Sequence, residues 1–378
     1  MEKTLKKTHV HDWHVKHARM IEFAGFHMPV WYTSIEDEHM AVRNSVGIFD
    51  VTHMGRFFVV GSEATDFLNY VVTRDVKKAA NGQALYSVML NEKGGIVDDL
   101  IVYKINPERF LVVVNASNKE KDFNWLKKHA TNYDVTLTDR SDEMPMFAIQ
   151  GPKAEELLSK IVDFDVKSLG KFMLAEGKLL GHKAVIARTG YTGEDGFEVS
   201  LYDMPLDGSD KVIKIWEDIL NIGKDLGIKP CGLGARDSLR LEAGLVLYGN
   251  DIDDTTTPIE ASIKYALDLD KEDYIGKEVI DEQIKSGVSR IRMGFIMIDK
   301  AIPRHDFDVL DSSGNVIGHL TSGGYSPLIK NGIAMGYVPI EFGKSDIEVF
   351  INVRGRNKKA KTVKPRRMLK VLRKMSQG

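Results

Sequence analysis

Two adjacent carboxylates stand inside an otherwise apolar run, Ile96-Val-Asp-Asp-Leu-Ile-Val-Tyr103. Successive side chains of a strand face opposite sides, so Asp98 shares a face with Ile96, Leu100 and Val102, and Asp99 with Val97, Ile101 and Tyr103. At least one carboxylate therefore points into apolar surroundings, where an ion is costly unless paired or hydrogen-bonded. Such a group is a candidate for proton chemistry or for gripping a cation, and a salt bridge or turn-capping role for both is the structural alternative. A second candidate lies in Arg188–Ser200, where Gly190, Gly193 and Gly196 precede alternating Phe197, Val199 and Leu201. This pattern reads as a tight turn feeding a strand, with Tyr191 at the turn and Glu198 on the face opposite Phe197. It is either a plain hairpin or a turn that lets backbone, an aromatic ring and an acceptor carboxylate approach a flat ligand. His11, His14 and His17 recur at three-residue spacing, but without an accompanying carboxylate pattern they read as a polar helix face, and no metal site is expected. The single cysteine, Cys231, reads as a small buried apolar residue.

The elements that must carry these residues alternate between strand-like runs and helical patterns, so the chain reads as α+β. The turn Asn91-Glu-Lys-Gly-Gly95 joins Tyr86–Leu90 to Ile96–Tyr103 as a hairpin, and Phe110–Asn115 adds a third strand. Helical spacing covers Asn118–His129, Pro152–Val162, Asp210–Gly227 and Gly276–Ser286. Gly232–Gly244 reads as a short helix with glycines at both ends. Short strands and turns follow through Ile351, which places a boundary near residue 285 and a small β domain beyond it.

Composition narrows the function classes. The chain has 378 residues, 43% hydrophobic and 28% charged, which is ordinary for a globular protein of two or three domains. A net charge of -2 gives no global reason to bind nucleic acid or an anionic membrane. Eleven of the 52 Lys and Arg fall between Arg354 and Lys374 with no acid among them, so an acidic body carries a basic tail. One cysteine excludes an internal disulfide and any multi-cysteine zinc or iron-sulfur site. No apolar run approaches a membrane span, and Met1-Glu-Lys-Thr-Leu-Lys-Lys7 lacks a signal-peptide core, so a cytoplasmic location is expected. Gly343-Lys-Ser345 resembles the end of a phosphate loop, but Val338 stands where that loop needs its first glycine. Dinucleotide-binding, serine-hydrolase and zincin motifs are absent from the sequence.

Six motifs in order carry a resemblance: Ala24-Gly-Phe-His-Met-Pro29, Gly47-Ile-Phe-Asp-Val-Thr-His-Met-Gly55, Gly94-Gly-Ile-Val-Asp-Asp-Leu100, Gly190-Tyr-Thr-Gly-Glu-Asp-Gly-Phe-Glu198, Gly232-Leu-Gly-Ala-Arg-Asp237 and Leu247-Tyr-Gly-Asn-Asp-Ile252. Together they resemble the T-protein of the glycine cleavage system, the tetrahydrofolate-dependent aminomethyltransferases. The resemblance implies a three-lobed fold: two interleaved α+β lobes forming a folate channel, here residues 1–285, and a C-terminal β-barrel-like domain with the basic tail, residues 286–378. It implies transfer of the methylene carbon of an aminomethyl group from the lipoyl arm of H-protein to tetrahydrofolate, with release of ammonia and formation of methylenetetrahydrofolate. By resemblance Asp99 is the catalytic aspartate, and Glu198 is the carboxylate that holds the pterin, whose two adjacent N–H donors a carboxylate can accept side by side. Met54, Tyr86, Val113, Asn115, Tyr191 and Arg236 match other folate-contacting positions, with core packing an open alternative for Met54 and Val113. Ser326-Pro-Leu328 departs from the family's Ser-Pro-Thr, and Pro365-Arg-Arg367 stands where an aromatic residue is common. The partner implied is lipoylated H-protein, with neither nucleic acid nor membrane, and the oligomeric state is left open between monomer and dimer. A folate-dependent demethylase acting on a small methylated substrate without a carrier protein shares the fold and is the alternative. Flavin-fused relatives need a longer chain.

Overall fold

The computed structural model of the protein describes residues 4–377. The chain opens with helix α1 (His11–His17), a hairpin of β1 (Arg19–Phe23) and β2 (Phe26–Trp31), and helix α2 (Ile35–Asn44). Strands β3 (Val46–Asp50) and β4 (Gly55–Val60) and helix α3 (Ala64–Val71) follow. The expected hairpin is β5 (Gln83–Leu90) and β6 (Ile96–Asn106), and β7 (Arg109–Val114) is the expected third strand. Next come α4 (Lys119–His129), β8 (Thr136–Asp139), β9 (Met146–Gln150), α5 (Ala154–Ile161), β10 (Leu174–Leu179) and β11 (His182–Ala187). Strand β12 (Gly196–Leu201), helix α6 (Ser209–Ile222), strand β13 (Ile228–Pro230) and helices α7 (Leu233–Glu242) and α8 (Lys277–Ser286) lead to a run of six strands. These are β14 (Arg290–Met297), β15 (Asp308–Leu310), β16 (Val316–Ser326), β17 (Asn331–Pro339), β18 (Glu348–Val353) and β19 (Arg356–Val363), with α9 (Met368–Met375) at the end.

The fold class is α+β, as expected. Chain contacts divide it into two compact units: the residues up to Ser87 with Asp99–Arg236, and Val88–Asp98 with the residues from Asp237 onward. The first unit holds a five-stranded sheet in the order β5-β6-β7-β4-β8 and a six-stranded sheet in the order β10-β11-β12-β9-β3-β13. Helices α5 and α6 cover the second sheet because their apolar residues recur at helical spacing. Ala154, Leu157, Leu158 and Ile161 on α5, and Val212, Ile215, Trp216 and Ile219 on α6, are buried in one cluster with Phe147, Ile149, Phe197 and Val199 of β9 and β12.

In the second unit, the six strands from β14 to β19 close into a barrel, β19 pairing with both β14 and β18. Its interior is filled by Met293, Phe295, Val309, Leu320, Ala334, Val349 and Ile351. The tip of the β5–β6 hairpin sits against this unit's own loop: Ile96 N donates to Asp253 O, and a Cβ on Gly95 would lie 1.8 Å from Asp254 O, so only glycine fits there. The segment read as a basic tail is no loose extension. Arg356–Val363 is barrel strand β19, and α9 buries Met368 and Leu372 against Ile296, Ile333, Met335 and Val363. Exposed within that segment are Arg354, Arg356 and Lys359 around the β18–β19 turn and β19, and Arg366, Arg367, Lys370, Arg373 and Lys374 on one face of the terminal turn and helix.

Candidate functional site

Strand β6 has two different faces. Asp98, Leu100 and Val102 are buried on one, while Asp99 and Ile101 on the other are only partly covered. The fully buried carboxylate is thus Asp98, 0% exposed, and Asp99 is the accessible one. Neighbouring strands grip Asp99 from both sides. Antiparallel pairing of Ile101 with Val113 continues to put Asn115, just past β7, opposite Asp99. Its Nδ2 donates to Asp99 Oδ1 at 2.9 Å and to the Asp99 carbonyl at 3.0 Å, while Tyr86 Oη on β5 donates to Oδ2 at 3.0 Å. Val113 itself is buried between these positions, 3% exposed.

Tyr103 lies on the Asp99 face four residues on, about 13 Å along the strand at ~3.3 Å per residue. Its hydroxyl donates at 3.1 Å to Oε2 of Glu198 on β12, so a hydrogen bond joins the two sheets of this unit. Thr189 Oγ1 donates to the same oxygen at 2.5 Å. Glu198 Oε1 takes no hydrogen bond among the described residues, which leaves it for a ligand. Burial and the Glu198 carboxylate push the Tyr103 phenol well above its ordinary value, so it remains a donor. A third cluster completes the set: the Arg236 guanidinium on α7 stacks over the Tyr191 ring at 4.7 Å, and its Nη2 is 3.9 Å from Met54 Sδ. Burial lowers the Arg236 pKa, and no carboxylate pairs with it among the described residues, so its donors suit an electron-rich or anionic ligand edge. Met54 follows His53 in a turn pinned by buried Arg56, whose Nη1 and Nη2 donate to the carbonyls of Met54 at 2.6 Å and Thr52 at 2.9 Å. Burial and the nearby Arg236 charge push His53 down to about 3, so its imidazole is neutral. The structure thus brings all eight expected site residues into one unit, in three clusters: around Asp99 on β6, around Glu198 on β12, and around Arg236 on α7.

Two family models divide the chain between them. Residues 10–271 match the GCVT N-terminal domain, and residues 290–367 match the glycine cleavage T-protein C-terminal barrel domain. The chain belongs to the glycine cleavage T-protein family. It is 46% identical over 361 residues to an aminomethyltransferase of Thermosipho melanesiensis, covering 95% of this chain and 96% of that one. An aminomethyltransferase of Staphylococcus carnosus is 42% identical over 373 residues, 98% of this chain and 100% of that one. The crystal structure of glycine cleavage system aminomethyltransferase T from Bartonella henselae superposes with a TM-score of 0.86 at 34% identity, covering 95% and 96% of the two chains. The T-protein family member described here is an aminomethyltransferase, a one-carbon transferase of folate-dependent type.

Two sequence expectations about this T-protein family member need correction. The glycines at 190 and 196 are not there for the backbone conformation of a tight turn, which takes a positive φ only at Gly193. A Cβ at either would collide with the Gln150 side chain, at 1.9 Å from Oε1 for Gly190 and 2.5 Å from Nε2 for Gly196. Gln150 Nε2 donates to Thr189 O at 3.0 Å and its Oε1 accepts from Thr192 Oγ1 at 2.9 Å, so a buried amide moulds the turn that presents Tyr191. Arg43 Nη1 clamps the same turn at Thr192 O, 2.7 Å, and Glu194 Oε1, 2.8 Å. Gln150, Thr189 and Arg43 escaped sequence reasoning; the available signal for Gln150 was one amide closing the buried apolar strand Met146–Gln150 ahead of Gly-Pro. The histidines of α1 do not form a polar face either. His14 is fully buried, its Nε2 3.0 Å from Asp50 Oδ2 and its Nδ1 2.8 Å from Tyr32 Oη, and His11 is 3.0 Å from His27. The carboxylate that holds His14 comes from β3, 36 residues on. Among the described residues no cluster of His, Cys, Asp and Glu could hold a metal, no helix is long and apolar enough to cross a membrane, and Cys231 is buried as expected.

Proposed function

We propose that this site moves the methylene carbon of a lipoyl-bound aminomethyl group on H-protein to tetrahydrofolate, releasing ammonia and leaving methylenetetrahydrofolate. The observation that carries the reading is Asp99, an accessible carboxylate whose two oxygens are oriented by Tyr86 and Asn115. In the transferred group one carbon sits between a sulfur and an amine: loss of ammonia develops positive charge there while a folate nitrogen attacks, and the C–S bond then breaks as a second folate nitrogen closes the methylene bridge, the two folate N–H protons leaving with ammonia and with the carrier's dihydrolipoyl thiol. Asp99 stabilises that charge, orients the attacking nitrogen and helps move the proton it must lose. Glu198 and Arg236 hold the far end of the folate ring system, Glu198 through its open Oε1 and Arg236 through a guanidinium that lies over Tyr191 with no carboxylate paired to it among the described residues. Tetrahydrofolate supplies the nucleophilic nitrogen and carries the carbon away. Aminomethyl-loaded H-protein and tetrahydrofolate, assayed for ammonia release beside methyl donors without carrier, test the reading; turnover without carrier would support the demethylase alternative.

Glu198→Ala is expected to fold, yet to bind tetrahydrofolate about ten- to a hundredfold more weakly, since a hydrogen bond to a charged group contributes roughly 1.5–3 kcal/mol. The thermal shift that tetrahydrofolate gives the parent protein should shrink accordingly. An undiminished shift in the variant removes Glu198 from the folate site.

The basic face of α9 suits an acidic carrier, steered over a Debye length of about 8 Å at physiological ionic strength. Lys370→Glu combined with Lys374→Glu is expected to raise the KM for H-protein severalfold, to flatten its salt dependence, and to leave the KM for tetrahydrofolate alone. Unchanged carrier KM and salt slope in the folded double variant would show that this face is merely solvated.

A further inference from the structure

We infer that the hydroxyls of Tyr103 and Thr189 make the Glu198 end of the site an acceptor-only recognition element, which selects a 4-oxo pterin edge and rejects a 4-amino one. The inference rests on the reading of Glu198 as the pterin carboxylate. Tyr103, Thr189 and Glu198 are 2%, 5% and 6% exposed, so their hydrogen-bonding capacity is shared among themselves and a ligand rather than with bulk water. Each hydroxyl has one proton and an ionised carboxylate has none. Both protons go to the same atom, Glu198 Oε2, from Tyr103 at 3.1 Å and from Thr189 at 2.5 Å. The two hydroxyl oxygens are 3.3 Å apart, which closes a triangle. With its protons so directed, the cluster presents Oε1 and hydroxyl lone pairs outward.

The hydroxyls also hold Glu198 in place from two independent elements. Tyr103 projects from β6, and Thr189 is fixed through its carbonyl, which accepts from the buried Gln150 amide at 3.0 Å. Side-by-side acceptance by two equally open oxygens is therefore not what the site offers. A 4-oxo pterin carries N3–H beside its 2-amino N–H, two donors on one edge, and this edge matches the cluster. A 4-amino pteridine in its neutral form has a lone pair at N3, which would face acceptors in a desolvated place. Tyr103 and Thr189 are accordingly positioning residues that set specificity through Glu198.

The test measures dissociation constants for tetrahydrofolate and 4-amino-4-deoxytetrahydrofolate with the intact protein, at a pH high enough to keep the diamino ring neutral. The parent is expected to favour the 4-oxo ligand by roughly 10²- to 10³-fold, because an edge lacking its N–H leaves a buried acceptor unpaired. Glu198→Gln, which brings a donor, should bring that ratio near one. Tyr103→Phe and Thr189→Val should each weaken tetrahydrofolate binding roughly three- to thirtyfold and narrow the ratio, effects that disappear in the Glu198→Gln background, as for residues acting through one another. Thr189→Ser retains the hydroxyl and should keep the parent's ratio, which separates hydrogen bonding from packing. A parent that does not discriminate, or a Tyr103→Phe loss that is equal in both backgrounds, overturns the inference while leaving Glu198 as the pterin carboxylate. Unchanged tetrahydrofolate affinity in Glu198→Gln overturns that underlying reading instead.

Discussion

Asp99→Asn is expected to give a folded protein that still binds tetrahydrofolate and turns over roughly 10²- to 10⁴-fold more slowly, the range for loss of a general acid or base. Asn keeps nearly the shape of Asp but removes its charge and basicity. The two flanking donors make the change local: Tyr86 Oη and Asn115 Nδ2 each give a proton to one carboxylate oxygen, and an amide can still accept one of them. Asp98→Asn is the internal control. Its side chain lies on the fully buried face of β6, so the expected loss is in melting temperature, with turnover per folded molecule largely retained. Single-turnover rates and tetrahydrofolate affinities of both variants decide the matter. Near-normal turnover in Asp99→Asn, or a crippled but stable Asp98→Asn, would mean that the wrong carboxylate has been named.

A chain cut after Val353 is expected to lose the folded C-terminal unit altogether, not merely a charged appendage. The cut removes β19, which pairs with β14 on one side and β18 on the other and so closes the barrel. It also removes Val363, Met368 and Leu372, all buried in one apolar cluster, at ~1.5–3 kcal/mol each. That sum alone is comparable to the ~5–15 kcal/mol by which a domain is typically stable, and an open edge of unpaired backbone would remain. Circular dichroism and urea denaturation of the truncated chain should show a missing transition or aggregation. A soluble truncated protein with the parent's melting curve would show that β19 contributes little, contrary to its position in the barrel.

Local pattern alone determined much of this protein. Alternation of side chains marked Ile96–Tyr103 as a strand and put Asp98 and Asp99 on opposite faces, because strand geometry has a period of two whatever the surroundings. Helical spacing located α4, α5, α6 and α8 to within a few residues, and six ordered motifs were enough to show the resemblance to the T-protein family. What periodicity could not decide is which face of β6 is inside. That depends on how the rest of the chain packs: Asp98 is 0% exposed, whereas Asp99 stays partly open with Tyr86 of β5 and Asn115, just past β7, bonded to its two oxygens. The same limit applies to Gln150, whose role exists only once β9 and β12 are paired and Gly190 and Gly196 close around its amide. It applies to His14, which reads as a polar surface residue until Asp50 at the end of β3 meets it. The eleven basic residues near the C-terminus read as a tail because charge is a local property, whereas barrel closure is a pairing between strands separated by some sixty residues, β14 with β19. Residue type and spacing therefore chose the chemistry, and long-range strand pairing decided which of the chemically able groups are oriented, desolvated and left with an open atom to use.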